Sequence, residues 1–169
     1  MKRLSIRKAL IMTTNAFSAI RNTKPDAIKI IDSLDDINIR DDDGTTLLHS
    51  AIAYKNFPIG LKLIKRGIDV NAKTKKGDTP LHYCGTYQDL ELTRAILEAG
   101  GDLSAVDAHG RTTLWIAVQN PKRTYEFLKL LAEFGCAEFA SQENNFGLSP
   151  LEMAKDMGDE EAARIITSS

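Results

Sequence analysis

The sequence predicts an all-α solenoid, a stack of helix-turn-helix units carrying short hairpin fingers. Three observations carry that expectation. The hexapeptide Thr46-Leu47-Leu48-His49-Ser50-Ala51 returns 33 residues later as Thr79-Pro80-Leu81-His82-Tyr83-Cys84, and after 33 more as Thr112-Thr113-Leu114-Trp115-Ile116-Ala117. A glycine stands two residues ahead of each copy, at Gly44, Gly77 and Gly110. Apolar pairs close each unit, Leu63-Ile64, Ile96-Leu97 and Leu130-Leu131, and each is followed by a glycine: Gly67, Gly100 and Gly135. Self-similarity at a fixed period marks units that bury their apolar faces only against neighbours.

Taken in order, the chain divides into five units of one domain. Residues 13–41 form a degenerate first unit, in which Ile30-Ile31 and Asp36-Ile37-Asn38 lie 33 residues ahead of Leu63-Ile64 and Asp69-Val70-Asn71. Residues 42–74, 75–107 and 108–144 are full repeats. Residues 145–169 are a terminal cap, opened by Ser149-Pro150-Leu151-Glu152-Met153-Ala154 behind Gly147. That copy comes after 37 residues, and the four extra residues divide between the loop at Pro121-Lys122-Arg123 and the hairpin from Glu138 to Phe146. Within a unit, Thr caps the first helix and Pro80 or Pro150 suits its first turn, where no amide donor is needed. The closing glycine supplies the left-handed backbone that ends the second helix. At the N-terminus, Leu4, Ile6, Leu10, Ile11 and Phe17 are interspersed with Lys2, Arg3, Arg7 and Lys8, which reads as a helix covering the first repeat.

Composition narrows the function classes. Twenty-two basic residues against 23 acidic ones give a formal charge of −1, so no global field favours nucleic acid or an anionic membrane. The run Ala9-Leu10-Ile11-Met12 is too short for a signal peptide, and no segment approaches a membrane span, so the expected location is the cytoplasm. Cys84 and Cys136 frame neither a disulfide scaffold nor a zinc site. No phosphate loop, nucleophile elbow or zinc-protease motif occurs in the sequence, so no enzyme, cofactor or metal is expected.

Gly77-Asp78-Thr79-Pro80-Leu81-His82 and Gly67-Ile68-Asp69-Val70-Asn71-Ala72 resemble the ankyrin repeat, over roughly residues 13–167. Trp115 and Glu152 depart from the family's histidine, and the first unit is faded. The resemblance implies a scaffold that binds another protein through a concave surface lined by hairpin tips and the exposed edges of the first helices. It gives His49 and His82 a structural role, tying each first helix to the neighbouring hairpin backbone. Cys84 takes the small-residue position of its helix. Trp115, with one donor and no acceptor, fills the space beside the enlarged fourth hairpin or anchors a partner.

Carried onto this chain, the binding positions are Asp42 and Asp43 on the first tip, Lys75 and Lys76 on the second, and His109 and Arg111 on the third. From the helix edges come Tyr54, Tyr87, Gln119 and Asn120. Alternating charge would orient a partner and speed its arrival. Tyr54 and Tyr87, in one column of adjacent repeats, would form an aromatic centre. The expected function is specific protein binding by a chain that is monomeric when free, in the concrete form of a small bacterial immunity or antitoxin-type protein that masks a toxin. The alternative is a regulatory adaptor for a cytosolic enzyme. Nucleic-acid binding through Lys73–Lys76 is disfavoured by the neutral net charge and the neighbouring acidic tip.

Overall fold

The computed structural model describes residues 2–23 and 25–168, and of residues 2–10 the backbone alone. The basic pairs at Lys2-Arg3 and Arg7-Lys8 therefore have side chains outside the described ones. Helices alternate between two layers. The first layer holds α1 (Lys2–Arg21), α3 (Leu47–Ala53), α5 (Pro80–Tyr87), α7 (Thr113–Gln119) and α9 (Pro150–Asp156). The second holds α2 (Ala27–Asp32), α4 (Phe57–Lys65), α6 (Leu90–Glu98), α8 (Tyr125–Glu133) and α10 (Glu160–Thr167). Each first-layer helix packs on the next, and from α4 onward each second-layer helix does the same. Among the described residues no strand forms; Arg40 and Thr46 make one isolated bridge. The fold is an all-α solenoid.

The N-terminal segment and the first helix of the degenerate unit are one continuous helix, α1. Its described part buries Ala16, Phe17, Ala19 and Ile20 against α2 and α3. One apolar core then runs through the stack, built from residues that are fully buried in every unit: Ile31, Leu48, Leu63, Leu81, Ile96, Phe127, Leu131 and Ile166. Such side chains contribute roughly 1.5–3 kcal/mol each on burial, and in a stack most of that area lies between units.

The caps follow the repeated motif. Thr46, Thr112 and Ser149 each accept the amide of the residue three ahead through their hydroxyls. Pro80 and Pro150 occupy the first helical positions. The four hairpins also share one turn chemistry. The side-chain oxygen of Asp41, Thr74, Asp107 or Asn144 accepts the amides two and four residues ahead, at 2.8–3.2 Å. The glycine three residues on then takes a left-handed φ. At Gly77 (φ +82) a Cβ would also meet Ala108 N at 3.1 Å, because consecutive tips touch. There the backbone stitches them: Lys75 donates to Asp43 (2.9 Å), Ala108 to Lys76 (2.8 Å) and Asn145 to His109 (3.0 Å).

The extra residues of the third repeat serve the cap. Helix α8 starts 35 residues after α6, whereas α7 starts 33 after α5, so two residues are added between the starts of α7 and α8. The lengthened loop carries Arg123 onto Asp159, the N-cap of α10, whose carboxylate also accepts the Tyr125 hydroxyl (3.0 Å) and the Ala162 amide (3.0 Å). The two residues added after α8 sit where a 3-10 helix, Cys136–Phe139, forms. Ala140 beyond it accepts the Leu151 amide at 2.9 Å.

A candidate protein-binding groove

The histidine column shows how the motif builds the face that the hairpins overhang. In His49 and His82 the Nδ1 nitrogen accepts the backbone amide of Thr46 (3.2 Å) or Thr79 (3.1 Å) and lies 2.8 Å from the same threonine's hydroxyl. A nitrogen that accepts an amide carries no proton, so Nε2 holds it and donates onward. It reaches the Asp78 carbonyl (3.1 Å) from His49 and the Arg111 carbonyl (2.9 Å) from His82, each in the next hairpin. A second proton would have to sit on Nδ1 against those donors. Burial above all lowers both pKa values, that of His49 to about 4, so both rings are neutral pins between units.

Trp115 keeps half of this chemistry. It is buried, and its indole Nε1 donates to the Leu148 carbonyl at 3.1 Å, the bond between repeats that histidine makes elsewhere. Glu152, in the last unit, keeps the other half: its carboxylate accepts the Ser149 amide (3.0 Å) and hydroxyl (2.7 Å).

A groove of about 700 Å³ opens between α5 and α7. Its walls are Tyr83, Thr86 and Tyr87 from α5, with Ile116, Gln119, Asn120 and Pro121 from the other side, and Asp78, His82 and Arg111 line its hairpin end. The helices are close here because α5 has no side chain at Gly85, where a Cβ would meet the Thr113 carbonyl at 3.0 Å. The groove is amphipathic, with rings and an isoleucine beside amide, hydroxyl and charged groups, as small binding sites are.

Of the residues singled out from the sequence, Tyr87, Arg111, Gln119 and Asn120 come together in this groove. Two of them are already engaged. Asn120 donates its amide to the Gly85 (3.1 Å) and Thr86 (2.8 Å) carbonyls, holding α7 to α5. Arg111 is paired with Asp107 at 2.6 Å and lies over the Trp115 ring. Asp43, Lys75 and Lys76 meet in a smaller recess of about 200 Å³ with Thr45, Thr74, Asp78 and Tyr83. Asp42 is exposed and lines neither. His109 is exposed and stacks on Phe146 of the next tip, ring centroids 6.4 Å apart. Tyr54 lies outside the groove: α3 ends at Ala53, so Tyr54 is its cap, and the Arg21 guanidinium sits 5.5 Å above its ring.

Sequence reasoning missed Tyr83, Ile116 and Pro121, and read His82 as structural only. Tyr83 belongs to both recesses and packs edge-on against His49 at 4.9 Å. The available signal was helical periodicity: Tyr83 precedes Tyr87 by four residues, and Ile116 precedes Asn120 by four, so each pair shares a face.

No other chemistry gathers among the described residues. Cys84 and Cys136 are free and buried, and burial pushes both thiols up to about 12, far from a reactive thiolate. Among the described residues no cluster of side chains has the makings of a metal site, and no helix is long and apolar enough to cross a membrane.

Stacked helix pairs, pinned hairpins and an amphipathic groove define a repeat-built interaction scaffold. The family model for ankyrin repeats (3 copies) matches residues 16–107, more than half of the chain. The chain belongs to the ankyrin repeat family and is a protein–protein interaction module. No curated protein matches it.

Proposed function

We propose that this chain binds one specific protein partner in the groove between α5 and α7, with the second and third hairpin tips at its rim. The observation that carries this reading is the groove itself, where Tyr87, 38% exposed, and Tyr83 stand beside polar groups. Tyrosine at such a place gives apolar contact and a hydrogen-bonding tip with little entropy to lose. The chain acts by binding and not by catalysis: both motif histidines have their nitrogens engaged, and both thiols are buried and protonated. The two unpaired thiols fit a reducing, cytoplasmic setting.

An immunity or antitoxin-type role is this same binding with a toxin as partner; an adaptor role is the same binding with a cytosolic enzyme. The two differ in consequence, since masking a toxin abolishes its activity and an adaptor leaves its enzyme active. The test is affinity capture from source cells with the wild type, with Tyr87→Ala and Gln119→Ala in the groove, and with Lys129→Ala on the exposed face of α8. A protein retained by wild type and Lys129→Ala but released by the groove variants supports the proposal. Equal retention by all four places binding elsewhere.

A further inference from the structure

We propose that the groove seats an arginine side chain of the partner, its guanidinium against the Asp78 carboxylate and its plane on the rings of Tyr83 and Tyr87. This rests on the groove being the partner's binding site.

The charges lining the groove decide the sign of its occupant. His82 is neutral and both its nitrogens are used within the fold. Arg111 is offset by Asp107, whose side chain is 1% exposed and whose carboxylate Arg111 meets through Nε (2.7 Å) and Nη2 (2.6 Å). Asp78 has only the Thr74 hydroxyl, at 3.4 Å, and forms no ion pair among the described residues. One uncompensated negative charge is left. The Tyr83 phenol responds to it: burial first, then the carboxylates of Asp78, Asp41 and Asp43, raise its pKa. Lys75 and Lys76 share the neighbouring recess with Asp43 and Asp78, yet neither closes on Asp78 as an ion pair.

The rest of the lining suits a guanidinium on an aliphatic stem. Two tyrosines one helical turn apart offer faces for a cation. Ile116 and Pro121 offer apolar surface to the methylenes. Thr86 and Gln119 are exposed at the edge and supply oxygen acceptors for the remaining N–H groups. A guanidinium is planar and forked, so it can stack on a ring and meet a carboxylate at once; an ammonium cannot do both in one plane. A partner carboxylate would instead meet Asp78 with no unmatched cation in the groove.

The probe is a capped hexa-arginine peptide added to the full, nitrogen-15-labelled chain, with capped hexaglutamate as control, followed by amide chemical shifts. Hexa-arginine is expected to shift residues 83–87 and 116–120 saturably, and hexaglutamate to leave them in place. Asp78→Asn, which keeps the side-chain shape, should weaken hexa-arginine about tenfold, and Tyr87→Leu by a similar factor. Glu91→Gln with Glu98→Gln, two exposed carboxylates on α6 away from both recesses, should change the affinity less than about twofold. Absence of saturable shifts, equal effects from hexaglutamate, unchanged affinity in Asp78→Asn, or an equal loss in the α6 double variant each overturns the proposal. The partner capture separates this failure from that of the groove. Release by Tyr87→Ala with full retention by Asp78→Asn keeps the groove and removes the arginine. Retention by both variants removes both.

Discussion

Thr113 occupies a position where two other units place proline, and Thr113→Pro is expected to stabilise the protein. It is the first residue of α7, where the amide has no intrahelical acceptor to lose. Thr112 before it has φ −82° and ψ 169°, the extended backbone that a following proline requires. Pro80 and Pro150 stand at the same place in α5 and α9 and are buried as Thr113 is. The Thr113 hydroxyl is buried without a hydrogen-bond partner. An orphaned buried polar group costs about 1–3 kcal/mol, and fixing φ in the unfolded chain adds about 0.4–1 kcal/mol. Allowing for the methyl contacts that threonine loses, a net gain of about 1–2 kcal/mol follows. In a chain of this size that raises the melting temperature by roughly 3–6 °C. Circular dichroism at 222 nm, with thermal and urea melts in one buffer, measures it. The reciprocal change, Pro80→Thr, should lower stability by a similar amount. A lower melting temperature for Thr113→Pro, or none lost in Pro80→Thr, refutes the reasoning.

Two further outcomes are expected. His49 has its folded pKa lowered to about 4, against about 6.5 when unfolded, so its contribution is complete above pH 6.5 and is lost as pH falls toward 4. Unfolding free energies from urea titrations at pH 7 and pH 4.5 should differ by about 2–3 kcal/mol, with His82 shifted in the same direction; equal values would mean that the rings accept a proton in place. Asp159→Ala removes the N-cap of α10 together with the acceptor for Arg123 and Tyr125, and should cost about 1–3 kcal/mol. Hydrogen exchange should then quicken in α10 before α5, and uniform exchange along the stack would show that the clamp does not hold the cap separately.

The period of 33 and the positions of glycine, threonine and proline were enough to read the stack, because each answers a local backbone requirement that repeats. The histidines were legible for the same reason. What escaped was whatever depends on contacts a repeat away. The Arg111–Asp107 pair, four residues apart in one turn, is the local exception. Nothing beside Asn120 shows that its amide is spent 34–35 residues upstream. Trp115 looked like a lost hydrogen-bond pair, since the sequence shows that indole cannot accept but not that only the donated bond reaches the next hairpin. The tyrosine column is uneven in the structure because α3 stops one residue short of Tyr54 while α5 includes Tyr87, a difference in helix length that the shared spacing conceals.

The column His49, His82, Trp115, Glu152 gives the molecule a polarity. Three members hand a proton forward to the following hairpin, and the fourth has none to hand. The Ser149 hydroxyl and amide hold the Glu152 pKa low, so the group is an anion at neutral pH. A hairpin arriving from a second copy would present its carbonyl oxygen to that anion and find repulsion where every internal junction has a bond. Any such head-to-tail contact, the standing hazard of a module made of self-complementary slices, would meet that charge on an exposed side chain.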